Sequence, residues 1–338
     1  MVQVYAPHVA AYWDIPPNSA VAPLNRGGYN NHLFDVQGGD RHYVLRIYGN
    51  HSKPNLIAHE LGVLWQVGQS ALPFVVPVPV LTKTGQMCAL MNLQGQRALA
   101  VLIPFIEGEN PETRDLAQTE AVGEALAQLL IALMPIQPGE THTSAGYGDL
   151  SKLHPLVPDP WEAANCLPAT VPKSKKHRLN AILDLLHERR AHIGRLPQQL
   201  THGDVIPGNI LAVGAKVTGI IDFEFCTMNP RAVDLACAVD SWTYGALNSG
   251  REWPVISALC RGYARYGSLN ADEIECIPAL LLLRNCVVLL HIIGQFVGGK
   301  SPLVDVDLWF ESLLNMDAWL TMNDRRLIAT IGEAFARA

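Results

Sequence analysis

One run constrains this chain more than any other: Leu200-Thr201-His202-Gly203-Asp204-Val205-Ile206-Pro207-Gly208-Asn209-Ile210-Leu211, followed by Gly219-Ile220-Ile221-Asp222-Phe223-Glu224. An asparagine follows the first aspartate five positions on, and a second aspartate closes a short apolar run. His-Gly-Asp and Pro-Gly make the first segment a loop, and loops on rigid scaffolds carry chemistry. Val217 to Ile221 reads as a buried strand with Asp222 at its mouth. Phosphoryl transfer from a nucleotide needs these parts. One carboxylate, Asp204, orients the acceptor hydroxyl and takes its proton, while Asn209 and Asp222 hold magnesium. Each residue also has a bland explanation: Asp204 capping a turn, Asn209 as turn chemistry after Pro207-Gly208, Asp222 capping a strand end. The three together favour the chemistry.

Two neighbours support this loop. The ring of His202 is expected to brace it by hydrogen bonds rather than serve as a general base. Asp234, in Arg231-Ala232-Val233-Asp234-Leu235-Ala236, sits at the start of an apolar helix, where the dipole favours a carboxylate. Its sharper role is to anchor the catalytic loop.

The first hundred residues read as strands around one helix. Leu33 to Val36 and His42 to Tyr48 are β-like, with Gly38-Gly39-Asp40 as a tight turn between them. Lys53 to Val67 has helical spacing, with Ile57, Leu61, Leu64 and Trp65 on one face. Pro73 to Pro79 is a sheet edge or loop. Met87 to Leu93 and Ala98 to Ile103 read as further strands. Beyond Ile103-Pro104-Phe105-Ile106-Glu107-Gly108 the pattern turns helical, starting with Leu116 to Leu133. Pro135 to Asp149 reads as a loop. Helices follow at about 176–194, 232–246, 254–266, 271–296 and 305–319, and a last one from about 324 to 338. The economical division is an α+β chain: a strand-rich lobe (1–103), a hinge (104–109) and a helical lobe (110–338).

In the first lobe Gly27, Gly28, Asn30 and Asn31 precede a strand, and glycines there let backbone N–H groups approach phosphates. A plain turn explains them equally well, since no dinucleotide or Walker-type glycine pattern is present. Arg46 could reach the α- and β-phosphates, and Glu60 on the following helix could pair with it. Phe105 to Gly108, with Phe105 and Glu107 as its contact candidates, is a candidate adenine-contacting hinge, argued from position.

Composition excludes several classes. The net charge is -6, so no basic surface suits nucleic acid. The one basic run, Lys173 to Arg178, is short and reads as a solvated helix start. Seven cysteines lie scattered, without a Cys-x-x-Cys pair, so neither zinc nor a disulfide framework is indicated. A reducing cytoplasm is expected, and the N-terminus has no signal-like core. Ile277 to Val297 is apolar enough to suggest a span, but Pro278, Arg284, Asn285, His291 and Gln295 interrupt it, and a buried core helix is the expectation.

The residues quoted above resemble the aminoglycoside phosphotransferase and choline kinase superfamily, which shares the protein kinase fold. His202-Gly203-Asp204 with Asn209 looks like its catalytic loop, Ile221-Asp222-Phe223-Glu224 like its metal-binding segment, and Asp234-Leu235-Ala236 like its Asp-Leu-Ala. The resemblance implies ATP, Mg2+ and a small molecule bearing a hydroxyl. Two departures matter. Arg46 stands where protein kinases use lysine, and the two are not equivalent phosphate partners. The phosphate loop is also not the protein-kinase glycine loop, which argues against protein substrates; in addition, only eleven residues lie between Asp222 and Asp234, too few for a long regulatory loop. Within the superfamily, Gly27-Gly28-Tyr29-Asn30-Asn31 and the Asp-Leu-Ala…Trp242 tail look most like homoserine kinases. Glu224, Trp242, Tyr244 and Arg284 are candidates to line the acceptor pocket, although core packing explains the aromatics as well. The leading expectation is a kinase for an amino alcohol or hydroxy amino acid. An aminoglycoside or choline/ethanolamine phosphotransferase and a non-catalytic nucleotide- or metabolite-binding protein are the alternatives.

Overall fold

Alternation along the early strands divides them between two surfaces. The structure is a computed structural model that describes residues 4–24, 31–49, 54–93, 95–138, 150 and 153–337. Strands β1 (Ala20–Pro23), β2 (Asn31–Gly38), β3 (Arg41–Tyr48), β4 (Ala89–Leu93) and β5 (Gln96–Pro104) form an antiparallel sheet in the order β1-β2-β3-β5-β4. Phe34, Val36, Leu45 and Ile47 face one way and bury Trp13, Val9 and Ile15 of the N-terminal segment, whose helix α1 spans Ala6–Ala10. Leu33, Val44 and Arg46 take the other face, with Leu33 opposite Arg46 in register. The hairpin between β2 and β3 turns at Gly39, whose φ of +64° is the left-handed conformation that glycine adopts without strain.

Helix α2 (Pro54–Val67) follows and buries Ile57, Leu61, Val63, Leu64 and Val67, together with the carboxylate of Glu60. Trp65, expected on this buried face, is exposed instead. The helical period places Val63 and Val67 inward and leaves Trp65 beyond the edge of the stripe.

The second lobe is helical: α3 (Leu116–Leu133), α4 (Lys173–Ile193), α5 (Ala232–Thr243), α6 (Glu252–Ala264), α7 (Ala271–Val297) and α8 (Leu303–Ala336). Two small antiparallel ribbons carry the chemistry-bearing loops. One pairs β6 (Gln198–Thr201) with β9 (Thr227–Pro230), and the other pairs β7 (Ile210–Val213) with β8 (Lys216–Ile220). Helix α7 is the apolar stretch read as a possible span, and α5 and α8 pack against it within one core. Two helices were expected where α8 runs unbroken. The stretch Thr321-Met322-Asn323-Asp324 contains neither Gly nor Pro, and Thr321 and Asn323 donate to the carbonyls of Asp317 and Trp319. Those polar side chains are satisfied within the helix and do not end it. The loop reading of 135–149 falls largely outside the described residues.

The segment between the lobes is laced to the β7–β8 hairpin. Glu109 and Ala212 exchange backbone bonds of 2.9 and 2.8 Å, and the Thr218 hydroxyl donates to the Glu107 carbonyl at 2.5 Å. Val75 bridges to β8 on the far side, donating to Thr218 O at 2.8 Å and accepting from Ile220 N at 3.1 Å.

Helices α3 and α6 cross closely because Gly123 and Gly262 have no side chains. A β-carbon at Gly262 would collide with the Glu120 backbone, and one at Gly123 with the Leu259 backbone. Gly262→Ala is expected to cost about 2 kcal/mol by forcing the helices apart, read as a melting point lower by several degrees. An unchanged melting point would show that the crossing has slack.

Candidate active site

The loop after β6, which carries Asp204, hangs on one buried carboxylate. Asp234 is in the first turn of α5 and fully buried. Its Oδ2 accepts the His202 N–H at 2.7 Å and its Oδ1 accepts the Gly203 N–H at 2.8 Å. Burial pushes the Asp234 carboxyl upward from its ordinary range, and the His202 ring and the two N–H donors pull it back. Gly203 lies at φ +80°, and a β-carbon there would stand 2.6 Å from the Phe225 carbonyl oxygen. Only glycine fits both the dihedral and the space.

The buried His202 ring works in two directions. One nitrogen, Nδ1, accepts the Asp204 N–H at 3.2 Å, and Nε2 donates to the Ile221 carbonyl at 3.0 Å. The ring also meets Phe223 edge-on, with centroids 4.7 Å apart. It joins the Asp204 loop to the strand end that carries Asp222, and both nitrogens are occupied in that task.

Asn209 stands in a short 3-10 turn at Pro207–Asn209. Its Nδ2 donates to Asp204 O at 2.9 Å and to Asp204 Oδ2 at 3.0 Å. Its backbone carbonyl accepts the Ile221 N–H at 2.9 Å. Asn110, just past the inter-lobe segment, donates to the carbonyls of Pro207, Gly208 and Ile210 at 3.0–3.2 Å and clamps this turn from outside.

Asp222 takes a strained conformation, φ +65°, which a non-glycine residue adopts only when its surroundings impose it. Its Oδ1 is buried without a hydrogen-bond partner. A buried carboxylate oxygen with no hydrogen bond, next in sequence to Ile221, which is bonded through its N–H to an asparagine whose two side-chain bonds both leave from Nδ2, suits a divalent cation. Hard cations take oxygen ligands, and magnesium is held by one or two protein groups plus phosphate oxygens. The described residues contain no cluster of three or more His, Cys, Asp or Glu, so no all-protein cage is offered. The donor set fits a metal carried in with phosphates.

Across the cleft, Arg46 collects carboxylates. Its Nη1 donates to Glu60 Oε1 at 2.7 Å, and Nη2 lies 3.2 Å from Glu224 Oε2 and 3.5 Å from Asp222 Oδ1. The Tyr48 hydroxyl donates to the other Glu60 oxygen at 3.2 Å, and the guanidinium sits 4.8 Å from the Tyr48 ring centroid. Burial by itself would lower the proton affinity of Arg46, but the surrounding carboxylates overrule it and hold the guanidinium charged. Burial drives Glu60 in the opposite direction, toward protonation, with Arg46 restraining it.

The structure thus brings together Arg46, Glu60, Asp204, Asn209 and Asp222, with His202 and Asp234 behind them. Four expected placements differ. Glu224, expected with the acceptor, turns instead to Arg46, which draws in its carboxylate together with those of Glu60 and Asp222. Trp242 is 1% exposed and belongs to the core of the helical lobe. Tyr244 is 61% exposed just beyond α5. Phe105 stacks on His42 at 3.7 Å, itself bonded to Asp35, so one ring face is already covered. Glu107 is exposed and contributes its carbonyl to Thr218. Asn31 opens β2 opposite Tyr48, and Gly27, Gly28 and Asn30 lie outside the described residues. Arg284 donates from Nη2 to Asp204 Oδ1 at 3.0 Å. Sequence reasoning missed Tyr48, Asn110 and Cys237. Only Tyr48 left a signal, two positions from Arg46 on the same strand face.

The profile of the phosphotransferase enzyme family (APH) matches residues 21–266. The chain belongs to that family. Homoserine kinase from Rhodopseudomonas palustris (strain BisA53) is 30% identical over 286 residues, covering 82% of each chain. Among solved structures, a microcompartment-associated aminopropanol kinase superposes with a TM-score of 0.72 at 19% identity, covering 97% of this chain and 98% of that one. Amicoumacin kinase hAmiN, in complex with AMP-PNP, Ca2+ and Ami, gives 0.69 at 15% identity, covering 92% and 91%. The two-lobed, kinase-like α+β fold is that of these neighbours. The chain is accordingly a phosphotransferase acting on a hydroxyl.

Replacing Asp234 by Ala strands two buried N–H groups of the phosphotransferase's catalytic loop. The expected loss is about 2–4 kcal/mol of stability, measured by urea denaturation, together with faster amide exchange at His202 and Gly203. Exchange unchanged at those two amides would remove Asp234 from its anchoring role.

Proposed function

We propose that this phosphotransferase uses ATP with Mg2+ to phosphorylate the side-chain hydroxyl of a small hydroxy amino acid, homoserine being the first choice. The observation that carries the proposal is the geometry around Asp204. Asn209 fixes one of its oxygens, and its own carbonyl accepts the N–H of Ile221, the residue before Asp222, so the hydroxyl-orienting carboxylate and the proposed metal-holding pair form one unit. The homoserine kinase relative, alike over four-fifths of both chains, supports the choice of acceptor. The division proposed is a nucleotide-binding lobe to 103, a connector at 104–109 and the acceptor-bearing lobe beyond.

In this reading the nucleotide lies between the sheet and the β7–β8 hairpin, with Arg46 against its phosphates. Mg2+ held by Asn209 and Asp222 supplies neutralisation of the charge on the transferring phosphoryl group. Asp204 accepts a hydrogen bond from the acceptor hydroxyl and aims its oxygen at the γ-phosphorus. As the new P–O bond forms, the bond to the β–γ bridging oxygen breaks, ADP leaves with that electron pair, and the hydroxyl proton passes to Asp204. Glu60 and Tyr48 keep Arg46 extended, and His202 keeps the two aspartate-bearing segments in register.

A cation stands directly beside Asp204, in the form of Arg284. Polycationic aminoglycosides call for an acidic cleft, and a guanidinium placed against the hydroxyl-orienting carboxylate counts against such an acceptor. An ADP-release screen over homoserine, choline, ethanolamine, hydroxylysine, methylthioribose and aminoglycosides tests the assignment. Homoserine should give the highest kcat/KM, and preference for choline or an aminoglycoside would overturn it. With the accepted substrate, Asp204→Ala is expected to lower kcat by about three orders of magnitude or more at an unchanged melting temperature. Turnover at the wild-type rate would eliminate the mechanism.

A further inference from the structure

Arg284 projects from the middle of α7, the most apolar helix of the chain, and is buried among Leu282, Leu283 and Cys286 of its own helix and α5 beside it. A guanidinium placed there contributes little to stability. Desolvation offsets most of what an ion pair returns, and an apolar side chain of similar volume would serve as well. Other arginines here make structural pairs in the usual two-toothed form: the partly buried Arg231 with Glu273 at 2.6 and 2.7 Å, and the exposed Arg178 with the largely buried Asp317 at 2.6 and 2.8 Å. Arg284 does not. Its Nη2 donates to Asp204 Oδ1 at 3.0 Å, and its Nε donates to the sulfur of Cys237 at 3.3 Å.

The sulfur contact closes a circuit. Cys237 lies on α5, fully buried, and its thiol donates to the Val205 carbonyl at 3.6 Å. Burial pushes that thiol up to about 12, so it stays a neutral S–H. Starting from Asp204, the path runs through Arg284 and Cys237 and returns to Val205, the next residue in the chain. The Asp240 carboxylate, held by Asn285 at 2.9 Å, adds charge opposite Arg284 on the α5 side. The consequence falls on Asp204. Its Oδ2 is tied to Asn209 on the metal side and its Oδ1 to Arg284 on the helical side, so the plane of the carboxylate cannot turn. The Asp204 side chain is still 19% exposed, which leaves it open to an incoming hydroxyl.

We propose that Arg284 is a positioning residue: with Cys237 behind it, it fixes the Asp204 carboxylate in the orientation that receives the acceptor hydroxyl, and acts on transfer only through Asp204. The inference rests on the reading of Asp204 given above and is independent of which acceptor is used. Orientation errors of about 1 Å at a reacting group cost on the order of 100-fold in rate.

The test compares Arg284→Ala, Arg284→Lys and Cys237→Ala in the full chain. The assay is ADP release with the acceptor found in the screen, or with water as acceptor if none is found, so that failure of the homoserine assignment leaves this test intact. Arg284→Ala should lower kcat about 100-fold with the KM for MgATP unchanged. Arg284→Lys should recover part of that loss, and millimolar guanidinium added to Arg284→Ala should recover more. Cys237→Ala should lower kcat several-fold. The decisive arm is the double variant. In an Asp204→Asn background, Arg284→Ala should change the residual rate less than twofold, because its route to the chemistry is already gone. If Arg284→Ala again costs its full factor there, the guanidinium contacts substrate directly and the proposal is overturned. It is equally overturned if Arg284→Ala keeps wild-type kcat, or if the whole loss of rate follows a loss of folded protein at the assay temperature.

Discussion

The bond pair from Asp234 to the backbone of His202 and Gly203 is the constraint on which the rest of the site depends. It ties the first turn of α5 to the loop after β6. That loop carries Asp204, and the His202 ring passes the constraint on to Ile221 and so to Asp222. A fully buried carboxylate is expensive unless its oxygens are satisfied. Here two backbone N–H groups satisfy it, and those donors would otherwise be orphans themselves. Each side of the contact removes a penalty from the other, so loop and helix are ordered as one unit.

Around that anchor, strain and charge are concentrated where chemistry is proposed. Asp222 occupies left-handed backbone space and keeps a buried oxygen without a hydrogen bond, 3.5 Å from the Arg46 guanidinium. Arg46 sits among Glu60, Glu224 and Asp222, a concentration of negative charge that a cation-bearing phosphate group can share. The connecting segment is stitched to the β7–β8 hairpin by the Glu109–Ala212 and Thr218–Glu107 bonds, and Asn110 reaches past it to the Asn209 turn. The connecting segment and the Asp204–Asn209 loop are thereby joined through three carbonyls and one amide.

Much of this was legible in the residues because it is local. The order Asp204, Asn209, Asp222 and Asp234 needs only spacing and turn chemistry to be read, and the strands from β2 to β5 announce themselves by alternation. The Arg46–Glu60 pair could be guessed from one strand and the next helix. Other features depend on contacts between distant segments and left no local trace. Cys237 looks like a small apolar residue on α5 until α7 brings Arg284 against it. Trp242 and Tyr244 are near neighbours with opposite fates, because helix rotation at the end of α5 sends one into the core and the other to the surface. Glu224 was a candidate for the acceptor pocket. The backbone at Asp222 turns through positive φ, and the next charged side chain is delivered to Arg46 instead. The unbroken α8 was hidden by polar residues that satisfy themselves within the helix.

The central claim is that Asn209 and Asp222, held in register by the Asp234-anchored loop, bind a nucleotide-borne metal next to Asp204. A crystal structure with AMP-PNP and Mn2+ in place of Mg2+, with the metal located by anomalous scattering, tests it most directly. The account predicts a single dominant peak coordinated by Asn209 Oδ1, an Asp222 carboxylate oxygen and phosphate oxygens, with Asp204 in hydrogen-bonding reach of the γ-phosphate's acceptor side. A metal bound through Glu224 or Glu60 alone, with Asn209 and Asp222 out of its coordination sphere, would contradict it.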